Sequence, residues 1–303
     1  MSNLRKTYGE TLIELGKENP NIVVLEADLS KSTMGNMFGQ VFPDRFFDFG
    51  IAEANMCSAA AGMSIVGKIP FMASFAVFST GRCYDQIRTS VCISGLNVKI
   101  CGSSAGLSDS GDGPTHQSID DISLMRCLPN MQVFVPCDSV QTKQIMRYMA
   151  DNQGPMYIRI TRSDARELTD ETQEFVSGKT YLVRDGSDAV VFACGPMVAC
   201  ALDAAAILKE KGISVKVVNV PSIKPLCREE ILNACAGMKA VVTAEEHNII
   251  GGLGSAIAEI ADCKVKRFGV NDRFGESAPS YGALCAELKL TPESLAETIL
   301  SSL

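Results

Sequence analysis

Short runs of β-branched and aromatic residues alternate with longer helical stretches along most of this 303-residue chain. Asn21 to Leu25, Arg45 to Phe49, Ile69 to Phe75, Asn97 to Cys101, Gln132 to Val135 and Met156 to Ile160 read as strands. Between them Glu53 to Val66, Gly81 to Ser94, Asp120 to Cys127 and Ser139 to Asp151 read as helices. From Ser163 to about Tyr181 the pattern gives way to polar, charge-rich sequence, and it restarts at Ala189-Val190-Val191-Phe192-Ala193. The second stretch predicts helix Met197 to Lys211, strand Val215 to Val218, helix Arg228 to Ala236, strand Ala240 to Thr243 and helix Gly252 to Ile260. The fold class expected is α/β, two domains whose mostly parallel sheets are covered by helices. The boundaries expected are 1–165, a linker over 166–183, and 184–303. In such folds ligands gather at the carboxyl ends of strands, where Glu53, Phe75, the 102–117 loop and Arg162 all fall.

Composition narrows the function classes. A hydrophobic share of 46% with 21% charged residues is that of a globular protein. The net charge of -7, with no lysine or arginine stripe, speaks against nucleic acid as a partner. The start, Met1 to Glu10, has no apolar core of signal-peptide length, and no stretch nears the roughly eighteen apolar residues of a membrane span. The cytoplasm is the expected compartment. The twelve cysteines sit mostly in apolar runs without a C-x-x-C, and read as reduced, buried thiols.

Two motifs carry candidate chemistry. Asp48-Phe49-Gly50-Ile51-Ala52-Glu53-Ala54-Asn55-Met56 puts a lone carboxylate where a strand-like stretch meets an alanine-rich helix, a low-dielectric setting suited to proton exchange. Gly111-Asp112-Gly113-Pro114-Thr115-His116-Gln117 puts one of only two histidines in a glycine-rich loop. Pro70 to Phe78 adds two aromatic rings three residues apart at a strand end. Glu245 to Gly254 contains a Gly-Gly-x-Gly that close packing or a phosphate cradle would each explain.

Together these motifs resemble the thiamine-diphosphate enzymes of the transketolase family. The resemblance covers nearly the whole chain and matches the C-terminal subunit of a split, two-subunit transketolase: a pyrimidine-binding domain followed by a C-terminal domain opened by the Glu245 to Gly254 turn. In that family a separate domain carries a Gly-Asp-Gly motif and a later asparagine that hold the metal diphosphate, and that domain is expected on another chain. Gly111-Asp112-Gly113 does not replace it, because Asn130 and Asn152 follow Gly113 by seventeen and thirty-nine residues, on either side of the family spacing.

The resemblance implies thiamine diphosphate as cofactor, with Mg2+ or Ca2+ held mainly by an N-terminal partner subunit and no metal ligand in this chain. It implies self-association into an α2β2 heterotetramer and sugar substrates, as in the pentose phosphate pathway. Glu53 matches the catalytic glutamate, Phe75 and Phe78 the cofactor-stacking aromatics, and Asp28 and Leu29 further cofactor contacts. His116 matches a catalytic and substrate-binding histidine, and Asp112 its neighbour that reads a substrate hydroxyl. Arg162, Ser32 and Arg5 match a phosphate-binding cluster. His247 is assigned no site role. Three positions depart from the family: Ala54 and Ser104 replace histidines, and Gly81 replaces a third aromatic, a wall either missing or supplied by Tyr84. The competing readings are a deoxyxylulose-phosphate synthase-like subunit, which shares Gly-x-Thr-His-Gln, the β subunit of a 2-oxoacid dehydrogenase, which lacks that loop, and a non-catalytic scaffold.

Overall fold

The computed structural model describes residues 1–303. The first half forms one parallel sheet from β1 (Ile22–Glu26), β2 (Phe46–Asp48), β3 (Ile69–Phe75), β4 (Lys99–Ser103), β5 (Gln132–Phe134) and β6 (Met156–Arg159). Strands β1, β4 and β6 are buried along their whole length, as strands covered on both faces must be. The helices of this half are α1 (Leu4–Glu18), α2 (Ser30–Thr33), α3 (Asn36–Val41), α4 (Glu53–Ile65), α5 (Ala76–Gly81), α6 (Tyr84–Gln86), α7 (Asp121–Arg126) and α8 (Ser139–Asp151). One face of the sheet packs on α1 and α8 through Leu4, Tyr8, Leu12, Leu15, Ile145 and Met149. The other packs on α4 and α7 through Met56, Cys57, Ala60, Ile122 and Met125.

The second half builds a sheet from β7 (Tyr181–Arg184), β8 (Ala189–Ala193), β9 (Val215–Asn219), β11 (Ala240–Asn248) and β12 (Val265–Val270). Their order is β12-β11-β8-β9-β7, parallel except for β7. It is flanked by α9 (Met197–Glu210), α10 (Arg228–Cys235), α11 (Leu253–Ala258), α12 (Tyr281–Glu287) and α13 (Pro292–Leu300). The remaining strand, β10 (Ser222–Lys224), crosses back and pairs antiparallel with β5, so the first sheet has seven strands, one of them borrowed. The core on the α4 and α7 face likewise runs on into Phe192, Val218, Val241 and Leu253 of the second half. No helix is long and apolar enough to cross a membrane.

Several elements differ from the sequence-based expectation. Helix α1 was not expected, yet Leu4, Tyr8, Leu12 and Leu15 form its buried stripe and the Asn3 side chain caps it at Lys6 N. The single helix expected over Gly81 to Ser94 is instead α6 followed by a π-helical turn over Ile87–Cys92, because α5 takes the chain up to Gly81 and Cys83 leaves helical geometry. The polar stretch after β6 forms no helix or strand before Tyr181. It is tied down all the same: Asp138, the N-cap of α8, accepts from Leu168 N at 2.8 Å and Thr169 N at 2.7 Å. All twelve cysteines are unpaired; six are buried as expected, but Cys200, Cys227, Cys235 and Cys285 are half-buried and Cys127 and Cys263 are exposed.

The largest correction concerns Glu245-Glu246-His247. These residues belong to the end of β11 and lie in the middle of the second half, not in a turn that opens it. Glu245 is buried and accepts from Leu253 N at 2.7 Å and Gly254 N at 2.8 Å, so its carboxylate fills the helix end where a phosphate would have to bind. The Gly-Gly-x-Gly run is therefore a packing device. A side chain at Gly252 would collide with that carboxylate. His247 accepts at Nε2 from Ser123 N at 3.4 Å and hydrogen-bonds Asn248 O through Nδ1 at 2.7 Å, which fits a neutral ring joining the halves.

Glu246 lies under the 102–117 loop. Its Oε1 accepts from Leu107 N at 2.6 Å, and Gly106, at φ +67°, leaves no room for a side chain beside it. Burial pushes this carboxyl up to about 7, against the pull of Arg159. An acid raised above its ordinary 4.5 makes the folded state hold the extra proton between those values. Stability should thus fall as pH rises from about 4.5 to about 7 and stay lowered above. Glu246→Gln keeps an acceptor for Leu107 and cannot ionise, so it should flatten that fall by on the order of 1–3 kcal/mol. Urea unfolding of both proteins from pH 4.5 to 8 measures it, and parallel curves would refute the assignment.

Candidate active site

The sequence-predicted site residues lie at the carboxyl ends of the first sheet's strands or in the loops and helices that directly follow them, Ser32 in α2, Glu53 at the start of α4 and Phe78 in α5; Arg5 lies in α1. Two groups form there.

The first is built around Glu53. It opens α4, is 3% exposed, and accepts from Arg82 Nη1 at 2.9 Å. The Arg82 guanidinium also lies over the Phe78 ring, 4.0 Å from its centroid. Phe78 stacks on Phe75 at 6.1 Å and 17° between planes, and His116 presents its ring edge-on to both, at 5.3 Å and 6.1 Å. Glu53, Arg82, Phe78, Phe75 and His116 therefore form one continuous set of contacts drawn from α4, β3, α5 and the glycine-rich loop. The His116 imidazole is turned by Thr115, whose hydroxyl lies 2.9 Å from Nδ1.

Arg82 was missed in the sequence. Its signal was present: a buried glutamate needs a partner, and an arginine four residues after Phe78 on an exposed turn reaches back to it. The Tyr84 hydroxyl lies 3.1 Å from Cys127 Sγ, and the ring pairs at the site are those of Phe75, Phe78 and His116.

The second group lies beyond the loop. Arg162 Nη1 bonds Asp109 Oδ2 at 2.9 Å, and Arg5 Nη1 donates to Ser32 O at 2.9 Å. Arg5 lies near enough to Arg162 to be disfavoured by its charge, after burial the largest influence lowering its proton affinity. Ser104, at φ +49°, is fully buried with its hydroxyl unpartnered. Asp112 is exposed on the loop.

Asp28 and Leu29 stand apart from both groups. They form the turn into α2, Asp28 at φ +61° with its N–H given to Asp48 Oδ1 at 2.9 Å. Beneath this turn Glu26 is fully buried and accepts from Thr33 Oγ1 at 2.6 Å; burial pushes its carboxyl well above the ordinary range.

The loop carrying Asp112 and His116 is held by the second half of the chain. Gln117 Nε2 donates to Glu276 O at 2.9 Å, Ala278 N to Ser110 O at 2.8 Å and Asn248 N to Ile119 O at 2.8 Å. No group of three or more His, Cys, Asp or Glu side chains is placed to hold a metal ion.

A doubly covered parallel sheet with a buried carboxylate, an aromatic pair and a histidine loop at its strand ends defines the class of a pyrimidine-binding α/β domain. Two family models match the chain: the transketolase pyrimidine-binding domain over residues 1–167 and the transketolase C-terminal domain over residues 178–295. The chain belongs to the transketolase family.

It is 44% identical over 307 residues to a putative transketolase C-terminal section of Methanocaldococcus jannaschii, covering 99% of this chain and 96% of that one. It is 44% identical to the 6-deoxy-6-sulfo-D-fructose transketolase subunit SqwH of a Clostridium species, covering 90% and 86%. A 1-deoxy-D-xylulose-5-phosphate synthase of Desulfitobacterium hafniense is 35% identical, and the chain spans 44% of its length. Among solved structures, a split-gene transketolase described as an inactive β4 tetramer superposes with a TM-score of 0.88 at 45% identity, covering 99% of this chain and 97% of that one.

The Glu53–Arg82 contact is testable in the isolated chain. Arg82→Met should cost about 1–2 kcal/mol by leaving a buried carboxylate unpaired. In a Glu53→Gln background the same change should cost less than about 0.5 kcal/mol. A double-mutant cycle on unfolding free energy reads the coupling, and strictly additive losses would show that the pair contributes nothing.

Proposed function

We propose that this chain is the C-terminal subunit of a thiamine-diphosphate-dependent transketolase, acting with an N-terminal subunit that carries the diphosphate and Mg2+ or Ca2+ site. Together they would transfer a two-carbon ketol unit from a ketose to an aldose. The observation that carries the reading is Arg82, a planar donor group that bonds the Glu53 carboxylate and lies over the Phe78 face at once. An aminopyrimidine needs the same two partners, a carboxylate for a ring nitrogen and an aromatic face, so the residues present fit the cofactor.

Bound thiamine diphosphate supplies a carbon nucleophile that breaks and remakes the bond beside a ketose carbonyl. Glu53 would exchange a proton with the ring nitrogen on the aminopyrimidine's far side, from a setting that excludes water. Phe75 and Phe78 would wall the ring, with Arg82 giving way at Glu53 when it enters. His116, edge-on to the same aromatic pair, would give or take a proton at the sugar's carbonyl or adjoining hydroxyl, and Asp112 would read a neighbouring hydroxyl. Asp28 and Leu29 would complete the cofactor contacts from the α2 turn. Arg162, Arg5 and Ser32 would receive the sugar's far end. The domains would divide at 165 and 184, and two copies of each subunit would assemble as α2β2, in the cytoplasm.

A ketose donor is favoured over pyruvate because five relatives aligned over 80% or more of their own length carry transketolase names, whereas the synthase aligns over less than half of its own. The donor and acceptor differ among such names, sulfofructose in one and apulose 4-phosphate in another, so the far end of the sugar is the open variable.

The purified chain alone should show no ketol transfer, and adding the N-terminal subunit should restore it. In the reconstituted complex Glu53→Gln should lower kcat by on the order of a hundredfold or more while assembly, read by sedimentation, is unchanged. Near-normal turnover of that variant would remove Glu53 from the mechanism. Decarboxylation of pyruvate in place of ketol transfer would move the chain to the synthase reading.

A further inference from the structure

Glu26 is a fully buried acid that the proposed chemistry does not use. It ends β1 and lies under the turn into α2, the segment that carries Asp28, Leu29 and Ser32. Its Oε1 accepts from Thr33 Oγ1 at 2.6 Å, and Thr33 Oγ1 accepts in turn from Gly35 N at 3.2 Å. Gly35 has no room for a side chain, because a Cβ there would overlap the Glu26 carboxyl. The carboxyl is thus seated against the end of α2 and the start of α3.

The segment it touches needs a fastening. Asp28 at φ +61° and Met34 at φ +70° both take the left-handed conformation that side chains disfavour, one on each side of the four-residue helix. A single helical turn does not hold itself together. Three side-chain bonds tie it to the rest of the chain: Asp28 N to Asp48 Oδ1, Thr33 Oγ1 to Glu26 Oε1, and Arg5 Nη1 to Ser32 O. Burial favours the uncharged form of Glu26, and its Oε2 has no partner. An apolar side chain would fill the same space without leaving an oxygen unpaired, so what the acid adds is its bond to Thr33.

The bond to Thr33 leads to the far-end cluster. Ser32 precedes Thr33, and its carbonyl fixes the Arg5 guanidinium at 2.9 Å. Arg5 stands beside Arg162 because the backbones that carry them are bridged: Ser2 N donates to Ala165 O at 2.8 Å and Ala165 N to Ser2 O at 2.9 Å, three residues from each arginine. Arg162 is paired with Asp109, which leaves Arg5, bonded to a carbonyl alone, as the cation with charge to spare. Its Nε is buried and unpartnered.

Resting on the ketol-transfer reading, we propose that Glu26 is a positioning residue for the sugar's far end: through Thr33 it fixes the α2 turn, and the Ser32 carbonyl of that turn aims Arg5 at an anionic terminal group. Glu26 touches neither the cofactor nor the sugar. What it supplies is order, since a guanidinium on a loose turn must be immobilised at the expense of substrate binding.

Whichever of fructose 6-phosphate and 6-deoxy-6-sulfofructose the reconstituted complex uses better serves as the anionic donor, and fructose as the neutral one. Glu26→Ala should raise KM for the anionic donor by about five- to tenfold, with kcat unchanged and kcat/KM for fructose within about twofold. Glu26→Gln, whose amide oxygen still accepts from Thr33, should restore KM. Thr33→Val leaves Glu26 in place and should raise KM as Glu26→Ala does, and it decides alone if Glu26→Ala does not assemble. In an Arg5→Ala background neither change should add more than about twofold. An equal loss on both donors, a fall in kcat at unchanged KM, or full additivity with Arg5→Ala would overturn the proposal, as would a normal KM in Thr33→Val. If the unmutated complex transfers no ketol unit, the ketol-transfer reading fails by itself. Methyl phosphate binding to the same proteins, read by NMR line broadening, then decides what Glu26 does: weakening by Arg5→Ala and Glu26→Ala alike supports the positioning role, and weakening by neither or by Arg5→Ala alone removes it.

Discussion

A single buried guanidinium joins the two halves of this protein. Arg159, 4% exposed at the end of β6, donates to Asp121 Oδ2 at 2.8 Å, to Ser118 O at 3.1 Å and to Glu246 O at 2.9 Å. It thus touches α7, the end of the glycine-rich loop and β11 at one point. Asp121 is fully buried, and Arg159 and the Tyr157 hydroxyl hold its carboxyl below the usual range against the opposing effect of burial. Breaking such a network from one side leaves a charge in a dry interior, which costs far more than the intact pair contributes. The glycine-rich loop inherits its position from this point: Leu107 rests on Glu246, Ser118 on Arg159, and Gln117 on the backbone of Glu276. The second half of the chain acts on the site through such contacts, although none of the proposed catalytic side chains lies in it.

The candidate site shows the opposite economy. Glu53 is nearly as buried as Asp121, but its partner Arg82 is 48% exposed and comes from a short, irregular turn. A carboxylate meant to exchange protons with a ligand needs a partner that a ligand can displace, and a half-exposed side chain beside a π-helical turn meets that need better than a buried one. Two glutamates of similar burial therefore differ in purpose by the mobility expected of what they touch: Glu246 meets fixed backbone, and Glu53 meets a long side chain over an aromatic face.

The sequence made much of this legible where local pattern and final environment agree. Ile69–Phe75, Ser139–Asp151 and Ala189–Ala193 fall where periodicity puts them, since each buries an apolar stripe or run. Glu53 and His116 stood out because charged or titratable groups in glycine- and alanine-rich surroundings have few structural reasons to be there. Three kinds of feature escaped. Helix α1 carries an i, i+4 apolar stripe that was readable and went unread. Strand β11 hides its last residues behind Glu245-Glu246-His247, whose charges suggest a turn until their backbone and guanidinium partners are known. Arg82 and Asp109 acquire their roles only through residues twenty-nine and fifty-three positions away, Glu53 and Arg162, a pairing that no local pattern contains.

Strand β10 gives the chain an unusual kind of integrity. Two family models divide it neatly, which invites treating the halves as exchangeable modules. Yet Ser222 and Lys224 supply the only neighbour on β5's outer edge, and Lys224 Nζ reaches back to Arg126 O and Leu128 O at the end of α7. A first half produced by itself would present that edge bare, a template for pairing with any extended chain in solution. A foreign second half joined to this first half would have to bring a matching strand for β5 with it.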